Sequence, residues 1–358
     1  METSRRDFTK IAAVVAVASQ VPFMSEVNAT PAADPVVTEP GIHLPARFIP
    51  IPSSISPQAQ AQMAAETAMS IPYPTTSDAH AWHAYVATMD AAVLPMVSRA
   101  ASQIKADVEE LRVGEAPVYV ITPHDRQVDD RFVWLDIHGG ALVMGGGELC
   151  KVFGLGTAAR YGSKVWAVDY RMPPKHPYPA PLDDCVAAYR ELLKHHRPEE
   201  IIVGGGSAGG NLAAALILRA RDEGLPLPAG AVLGTPELDL TETGDSFQTH
   251  LGLDARLKST LMPANLLYAA GHDLKHPYLS PLYGDFSKGF PPTMLSAGTR
   301  DLFMSNAVRM HWALLAHDIP VELYLTEAGS HGGFQGTPED DEMQRQTRLF
   351  IKKHWGQR

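Results

Sequence analysis

Short apolar runs alternate with amphipathic stretches from Pro117 to the end of the chain. Continuous apolar runs rich in β-branched residues are typical of strands buried on both faces of a parallel sheet. The intervening residues 182–194 and 211–221 have helical periodicity, so the alternation predicts a doubly wound α/β sheet. The runs that predict strands are 118–121, 132–135, 165–168, 201–203, 231–233, 293–295 and 321–325.

The N-terminal third has a different pattern. Residues 30–56 are rich in proline and predict an extended lead-in. Residues 77–97 have apolar positions at helical spacing, including Trp82 and Tyr85, and Pro95 is expected to end or kink that helix. His80 and His83 lie three apart on it, but no further ligand completes a metal site nearby, so a solvated helix face is the preferred interpretation.

Composition and charge narrow the possible functions. The 358 residues are 45% hydrophobic, enough for a sizeable core, and the net charge of −10 argues against nucleic acid or an anionic membrane as partner. Cys150 and Cys185 form no disulfide framework and show no metal-ligand spacing. Buried free thiols are the preferred interpretation, and a single bridge between them remains open.

The first 29 residues have the pattern of an export signal. Arg5 and Arg6 precede an uncharged stretch, residues 11–25, and Val27-Asn28-Ala29 offers a cleavage site. The apolar run is shorter than the roughly 20 residues that span a bilayer, which argues against a stable membrane span. The segment resembles a bacterial twin-arginine signal, which implies the twin-arginine machinery as a partner and a periplasmic or secreted protein.

A glycine-rich turn follows the strand at 201–203. Gly205–Gly209 satisfies G-x-S-x-G, the turn that presents a nucleophilic Ser207 between a strand and a helix. The same stretch also satisfies the dinucleotide-binding pattern G-x-G-x-x-G through Gly204, Gly206 and Gly209. That pattern requires an acidic residue about 20 positions on, after a second strand, whereas Asp222 and Glu223 come too early.

Three further loops carry the groups that a serine nucleophile needs. His138-Gly139-Gly140 follows the strand at 132–135, so the N–H groups of Gly139, Gly140 and Ala208 are the predicted oxyanion donors. Asp301 and His331 follow two later strands. The chain order Ser207, Asp301, His331 is the one expected of an α/β-hydrolase fold, with His331 as base and Asp301 as its orienting acid.

Over about 120–355 the chain resembles the hormone-sensitive-lipase family of α/β-hydrolases. The shared segments include Asp169-Tyr170-Arg171 and Tyr278-Leu279-Ser280-Pro281-Leu282 besides the groups already described. Two departures are Gly206, where the family usually has Asp, and Ala141, where it has a third glycine. The resemblance implies a mostly parallel sheet flanked by helices, a helical cap within residues 30–115, and a catalytic domain at 116–358.

The implied activity is hydrolysis of small carboxylic esters, with short to medium acyl chains, and no metal or organic cofactor is expected. A lactonase is the nearest alternative, because ring opening uses the same chemistry and the surroundings of Gly329-Ser330-His331 resemble those of some lactone-opening relatives. An amidase is a weaker alternative, since its leaving group is harder to protonate. A catalytically silent binding module is weaker still, because all three triad residue types are present.

Overall fold

The computed structural model describes residues 41–356, except 43, 66–70, 126 and 128. The predicted export signal therefore lies outside the described residues. The chain divides into two compact units, residues 1–49 and 50–358. The described part of the first unit contains no helix or strand. Among the helices the structure describes, none combines the length and apolar character that a membrane span requires.

Eight strands form one sheet in the second unit, in the order β1-β2-β4-β3-β5-β6-β7-β8. β1 pairs antiparallel with β2, which pairs antiparallel with β4, and all other neighbours are parallel. The strands are β1 (Ala106–Val113), β2 (Ala116–Pro123), β3 (Val133–Ile137), β4 (Lys164–Val168), β5 (Ile201–Gly206), β6 (Gly230–Gly234), β7 (Thr293–Gly298) and β8 (Val321–Thr326).

Helices pack against both faces of this sheet, and several of them connect its parallel strands. The helices of the described residues are α1 (Pro57–Ala65), α2 (Ala79–Ala101), α3 (Glu148–Tyr161), α4 (Ala180–Leu192), α5 (Ala208–Asp222), α6 (Ser246–Thr249), α7 (Met262–Ala269), α8 (Met304–Leu315) and α9 (Pro338–His354). Short 3₁₀ turns lie at Pro198–Glu200, Pro281–Tyr283 and Phe286–Lys288.

The alternation of side chains along the central strands produces two cores. On β5, Ile201 and Val203 pack with α4, α5 and α8, whereas Ile202 packs with α3 and α9. All three are fully buried, because a parallel strand with helices on both faces has no solvated side. This explains why the strands appear in the sequence as continuous apolar runs.

The α/β expectation is confirmed, and each predicted run overlaps a strand of the sheet. Two local features add to the sequence prediction. Of the two outcomes expected for Pro95, an end of the helix is excluded, since α2 continues to Ala101. β1, which the sequence pattern did not reveal, lies within residues 30–115 and pairs along its whole length with β2. It is an edge strand with mostly exposed, charged side chains, so it lacks an apolar run.

Candidate active site

Four loops meet at the carboxyl edge of the parallel strands. Ser207 follows β5 directly, His138 follows β3 directly, and Asp301 and His331 lie a few residues beyond β7 and β8. Because β3, β5, β6, β7 and β8 all run in parallel, their carboxyl ends lie at the same edge. The structure therefore brings the sequence-predicted groups to one side of the sheet.

Ser207 occupies a sharp turn between β5 and α5. Its φ of 58° and ψ of −123° are unusual for a non-glycine residue, and its N–H donates to Gly234 O over 2.8 Å. A Cβ at Gly209 would lie 1.9 Å from Ile137 O, and one at Gly205 would lie 2.3 Å from the same atom. Glycine is therefore required on both sides of the serine because the β5–α5 turn touches the end of β3.

Gly206 is not under the same constraint. A Cβ there would lie 3.6 Å from Gly234 O, which is an ordinary contact. The turn therefore has room for a side chain at the position where the resembled family usually has Asp.

The loop after β3 approaches Ser207 closely. A Cβ at Gly139 would lie 3.0 Å from Gly206 O and 3.5 Å from Ser207 Cβ. Gly140 has a φ of 126°, and a Cβ there would lie 2.0 Å from Met144 O, so no other residue fits. Ala141 continues the turn with a φ of 52° and is nearly buried. The predicted donors Gly139 and Gly140 thus lie on a backbone that contacts the turn at Ser207.

Tyr170 fixes the start of that loop. Its hydroxyl donates to His138 O over 2.9 Å, and its ring stacks on the His138 imidazole with centroids 4.1 Å apart. Ala208, the third predicted donor, is the first residue of α5, where backbone N–H groups have no partner within the helix. The Asp169-Tyr170-Arg171 segment thus supports the loop, and Arg171 itself pairs with the buried Asp184 over 2.8 Å.

His331 and Asp301 form a hydrogen-bonded pair. His331 Nδ1 lies 3.2 Å from Asp301 Oδ1, and Asp301 is fully buried. Asp301 Oδ1 also accepts from Phe303 N–H over 2.9 Å. Burial disfavours the imidazolium, but the charge and hydrogen bond of Asp301 outweigh it and raise the pKa of His331. The Nδ1 contact fixes the tautomer that leaves Nε2 as the proton acceptor.

Asp254 is hydrogen-bonded to both the Asp301 loop and the His331 loop. Its Oδ2 accepts from Leu302 N–H over 2.9 Å, next to Asp301, and its carboxylate also accepts from His331 N–H over 3.3 Å. Oδ1 accepts from Arg256 N–H and Leu257 N–H as well. Asp254 is fully buried, so these backbone donors replace its hydration. Its negative charge also helps to raise the pKa of His331.

Glu237 is a second buried carboxyl group near Ser207. Its N–H donates to Ser207 O over 3.2 Å, and its side chain is fully buried. Neither carboxyl oxygen has a hydrogen-bond partner of normal geometry among the described residues, although the Asn265 amide is near enough to favour the ionised form. Burial is the main cause that raises the pKa of Glu237 to about 8, with the charge of Glu242 second.

The helix α2 packs its aromatic side chains over this edge. Trp82 and Tyr85 lie in one apolar cluster with Ala141 and Val143 of the glycine loop and with Phe303. Tyr73 stacks on Trp82 with centroids 5.7 Å apart, and burial raises the pKa of its hydroxyl. Asp90 of α2 accepts from Gly145 N–H over 3.1 Å. The helix expected to form a cap therefore contacts the loop that carries the predicted oxyanion donors.

The remaining candidates are less informative. His80 and His83 are both exposed on α2, and neither belongs to a group of three possible metal ligands in the described residues. Asp222 is the last residue of α5, as its position in the sequence indicated. Cys150 and Cys185 are buried free thiols, which is the preferred sequence interpretation. Asp254 and Glu237 were missed by the sequence reasoning, because no motif or spacing marks either residue.

Comparisons with known proteins agree with the fold. A family model described as alpha/beta hydrolase fold matches residues 134–335. The chain is 35% identical over 189 residues to an acetyl-hydrolase of Streptomyces hygroscopicus, covering 52% of this chain and 63% of that relative. The chain thus spans less than two thirds of that relative's length.

Solved structures cover more of the chain. The crystal structure of the esterase E25 has a TM-score of 0.80 and 32% identity, covering 88% of this chain and 99% of that chain. A crystal structure of an esterase from the bacterial hormone-sensitive lipase family has a TM-score of 0.71 and 28% identity, covering 85% of this chain and 100% of that chain.

Proposed function

Because the chain belongs to the alpha/beta hydrolase fold family, we propose that it hydrolyses carboxylic esters of short to medium acyl chain through an acyl-enzyme on Ser207. The observation that carries this proposal is the 3.2 Å contact of His331 Nδ1 with the buried Asp301, at the sheet edge where Ser207 lies. Relatives named esterase and acetyl-hydrolase support the same bond type.

The reaction proceeds in two halves. Ser207 Oγ attacks the ester carbonyl while His331 Nε2 takes its proton, and the imidazolium then protonates the leaving alcohol. Water attacks the acyl-enzyme, His331 again takes the proton, and the acid leaves as Ser207 regains its hydrogen. Asp301 keeps Nδ1 protonated and stabilises the imidazolium in both halves.

The charge that develops on the carbonyl oxygen needs fixed donors. The N–H groups of Gly139, Gly140 and Ala208 are assigned this role, because the glycine loop approaches both Gly206 O and the Ser207 side chain. Loss of one such donor costs about 10² to 10³ in kcat in serine hydrolases, so the backbone that holds the loop contributes substantially to the rate.

We assign the acyl pocket to the region where the apolar face of α2 meets the glycine loop. The aromatic cluster of Tyr73, Trp82 and Tyr85 supports a pocket of limited volume beside the glycine loop. Each buried methylene adds about 0.8 kcal/mol until the pocket is full. We therefore expect turnover of p-nitrophenyl esters to rise over the first few carbons and then to fall.

The direct test is a panel of esters with two to about sixteen acyl carbons and several small lactones. Ser207→Ala should lower turnover by about 10⁴ or more if the triad acts as a unit. Ser163→Ala removes a buried hydroxyl elsewhere and serves as the matched control. Near-normal turnover by the Ser207 variant would refute the nucleophile, and a strong preference for lactones over all esters would replace esterase with lactonase.

We also propose that the twin-arginine machinery exports the folded protein to the periplasm or beyond. The proposal rests on Arg5 and Arg6 ahead of the short apolar run. Lys at both positions should leave active enzyme inside the cell, whereas Arg47→Lys should be exported normally. Export of the double variant at the normal rate would indicate the general secretory route instead.

A further inference from the structure

A cluster of three possible metal ligands lies next to the glycine loop. His138 follows β3, Cys150 is in the first turn of α3, and Asp169 follows β4. One ligand atom from each of these residues lies within 4.8 Å of the other two. The sequence did not indicate this group, because its members come from three separate elements and have no short spacing.

The His138 imidazole presents an unused lone pair. Its Nδ1 lies 2.7 Å from Gly139 O, and a carbonyl oxygen can only accept, so Nδ1 carries the proton. Nε2 is therefore the unprotonated nitrogen. It is buried and has no hydrogen-bond partner among the residues that the structure describes. An unpartnered acceptor in the interior is costly, and a cation would satisfy it.

The other two side chains supply sulfur and oxygen. Cys150 is a free thiol with 1% of its surface exposed. Asp169 accepts from Gly147 N–H through Oδ1 over 2.9 Å, which leaves Oδ2 for a ligand. Imidazole, thiolate and carboxylate are the ligand types that Zn²⁺ takes in proteins. A group of this composition favours a thiophilic cation over Mg²⁺ or Ca²⁺.

We propose that His138, Cys150 and Asp169 bind one Zn²⁺ ion, and that its binding inhibits the enzyme through the adjacent oxyanion loop. The binding step releases the Cys150 Sγ proton to solvent, and the Sγ–Zn bond replaces the S–H bond. One Zn²⁺, one thiolate and one carboxylate together carry no net charge, which lowers the cost of burying them. Water fills the fourth position.

The three ligand atoms must move closer together to bind one zinc ion. Tetrahedral ligands at about 2.0–2.3 Å from zinc lie about 3.3–3.8 Å apart, so ligand atoms within 4.8 Å of one another must approach by up to about 1.5 Å. A Cβ at Gly146 would lie 2.9 Å from Asp169 Oδ1, and one at Gly145 would lie 3.1 Å from His138 Nδ1. The backbone of this glycine segment therefore lies against the His138 and Asp169 side chains, and we expect it to shift when the ligands close.

The inhibitory effect follows from the position of His138. It immediately precedes Gly139 and Gly140, and its imidazole is bonded to Gly139 O and stacked on Tyr170. A metal that draws the ring toward Cys150 displaces this backbone, and donors displaced by about 1 Å can cost about 10² in rate. This part of the inference rests on the proposed esterase function, whereas metal binding does not.

Binding is tested on the full-length protein with Co²⁺ as a spectroscopic substitute for Zn²⁺. We expect one Co²⁺ per chain, a thiolate-to-cobalt charge-transfer absorption, and its loss when Zn²⁺ displaces the Co²⁺. Cys150→Ser should abolish the absorption and weaken Zn²⁺ binding by about 10- to 100-fold or more, the range seen on loss of even an outer-shell partner. Cys185→Ser is the matched control, since Cys185 is equally buried but outside the cluster.

The absence of the absorption from the wild-type protein, or its persistence in Cys150→Ser, would refute the site. Asp169→Asn, with the thiol intact, should also weaken Zn²⁺ binding, and it decides the matter if the serine variant does not fold. In parallel, Zn²⁺ should lower kcat for p-nitrophenyl acetate at least about tenfold in the wild type, reversibly with a chelator. Equal inhibition of the Cys150 variant would refute the coupling to the oxyanion loop. A protein that binds Co²⁺ as expected but hydrolyses no ester would contradict the proposed function and not the metal site.

Discussion

Asp254 and Glu237 are both fully buried beside the candidate active site, but their carboxyl groups have opposite surroundings. Asp254 accepts hydrogen bonds from four backbone N–H groups, those of Arg256, Leu257, Leu302 and His331. Glu237 has no partner of normal geometry for either oxygen among the described residues. The backbone donors around Asp254 replace its hydration, whereas burial without such donors raises the pKa of Glu237 to about 8.

Because of this difference, Asp254 and Glu237 have different roles near the His331 imidazole. Asp254 fixes the backbone of His331 and of the residue after Asp301, so it acts as a positioning residue for the pair. Glu237 holds a proton below pH 8 and presents a neutral acid beside the turn of Ser207. In this neutral form Glu237 adds no further negative charge beside the Ser207 turn.

The largest effect on activity is expected from replacing Asp254, whose carboxylate accepts four backbone hydrogen bonds. Asp254→Ala removes the common acceptor of the Asp301 and His331 loops, and a displacement of about 1 Å there costs about 10² in kcat with little change in KM. Asp273→Ala, an exposed acidic residue, is the control. Steady-state kinetics with circular dichroism checks this, and unchanged kcat in a folded variant would contradict the positioning role.

The pH dependence of kcat/KM distinguishes a positioning role of Asp254 from a general effect on stability. The charge of Asp254 helps to raise the pKa of His331, and only the neutral imidazole acts as base. Asp254→Asn should therefore move the acidic limb of the kcat/KM profile to lower pH. A profile that keeps its acidic limb while the protein merely loses stability would assign Asp254 a purely structural role.

A smaller, pH-dependent effect is expected at Glu237. Its pKa is about 8 in the folded protein and near 4.5 when the carboxyl group is solvated. Between these values the native state binds one proton more than the unfolded state, so stability is full below pH 4.5 and falls as pH rises toward 8. The slope is about 1.4 kcal/mol per pH unit.

Glu237→Gln keeps the size of the side chain and removes its titration. Its free energy of unfolding should therefore lack this loss between pH 5 and pH 8, measured by urea unfolding at several pH values. Glu327→Gln, at an exposed position, should keep the wild-type dependence. Parallel curves for the wild type and Glu237→Gln would show that Glu237 is ionised in the native state.

The sequence predicted the parts of the site that depend on local structure. The turn at Ser207 needs glycine where β5, α5 and β3 meet. These glycines lie within a few residues of the serine, so a short sequence motif reveals the turn. Parallel strand ends then gather Ser207, Asp301 and His331 at one edge, so strand prediction alone brings them together.

Contacts between residues that are far apart in the sequence could not be predicted in this way. Asp254 lies 48 residues from Leu302 and 77 from His331, in a loop with no motif, so nothing in the sequence links them. The same holds for the buried Glu237. β1 was not predicted for a different reason, because an exposed edge strand has no apolar run. Backbone pairing with β2 holds this strand in place.

We expect Ser207, activated by His331, to form a covalent intermediate with the substrate. Labelling of the wild-type protein with a fluorophosphonate probe, followed by mass spectrometry of its peptides, tests this directly. We expect one probe per chain, on the peptide that contains Ser207, and no label on Ser207→Ala. A label on another residue, or equal labelling of the alanine variant, would contradict it.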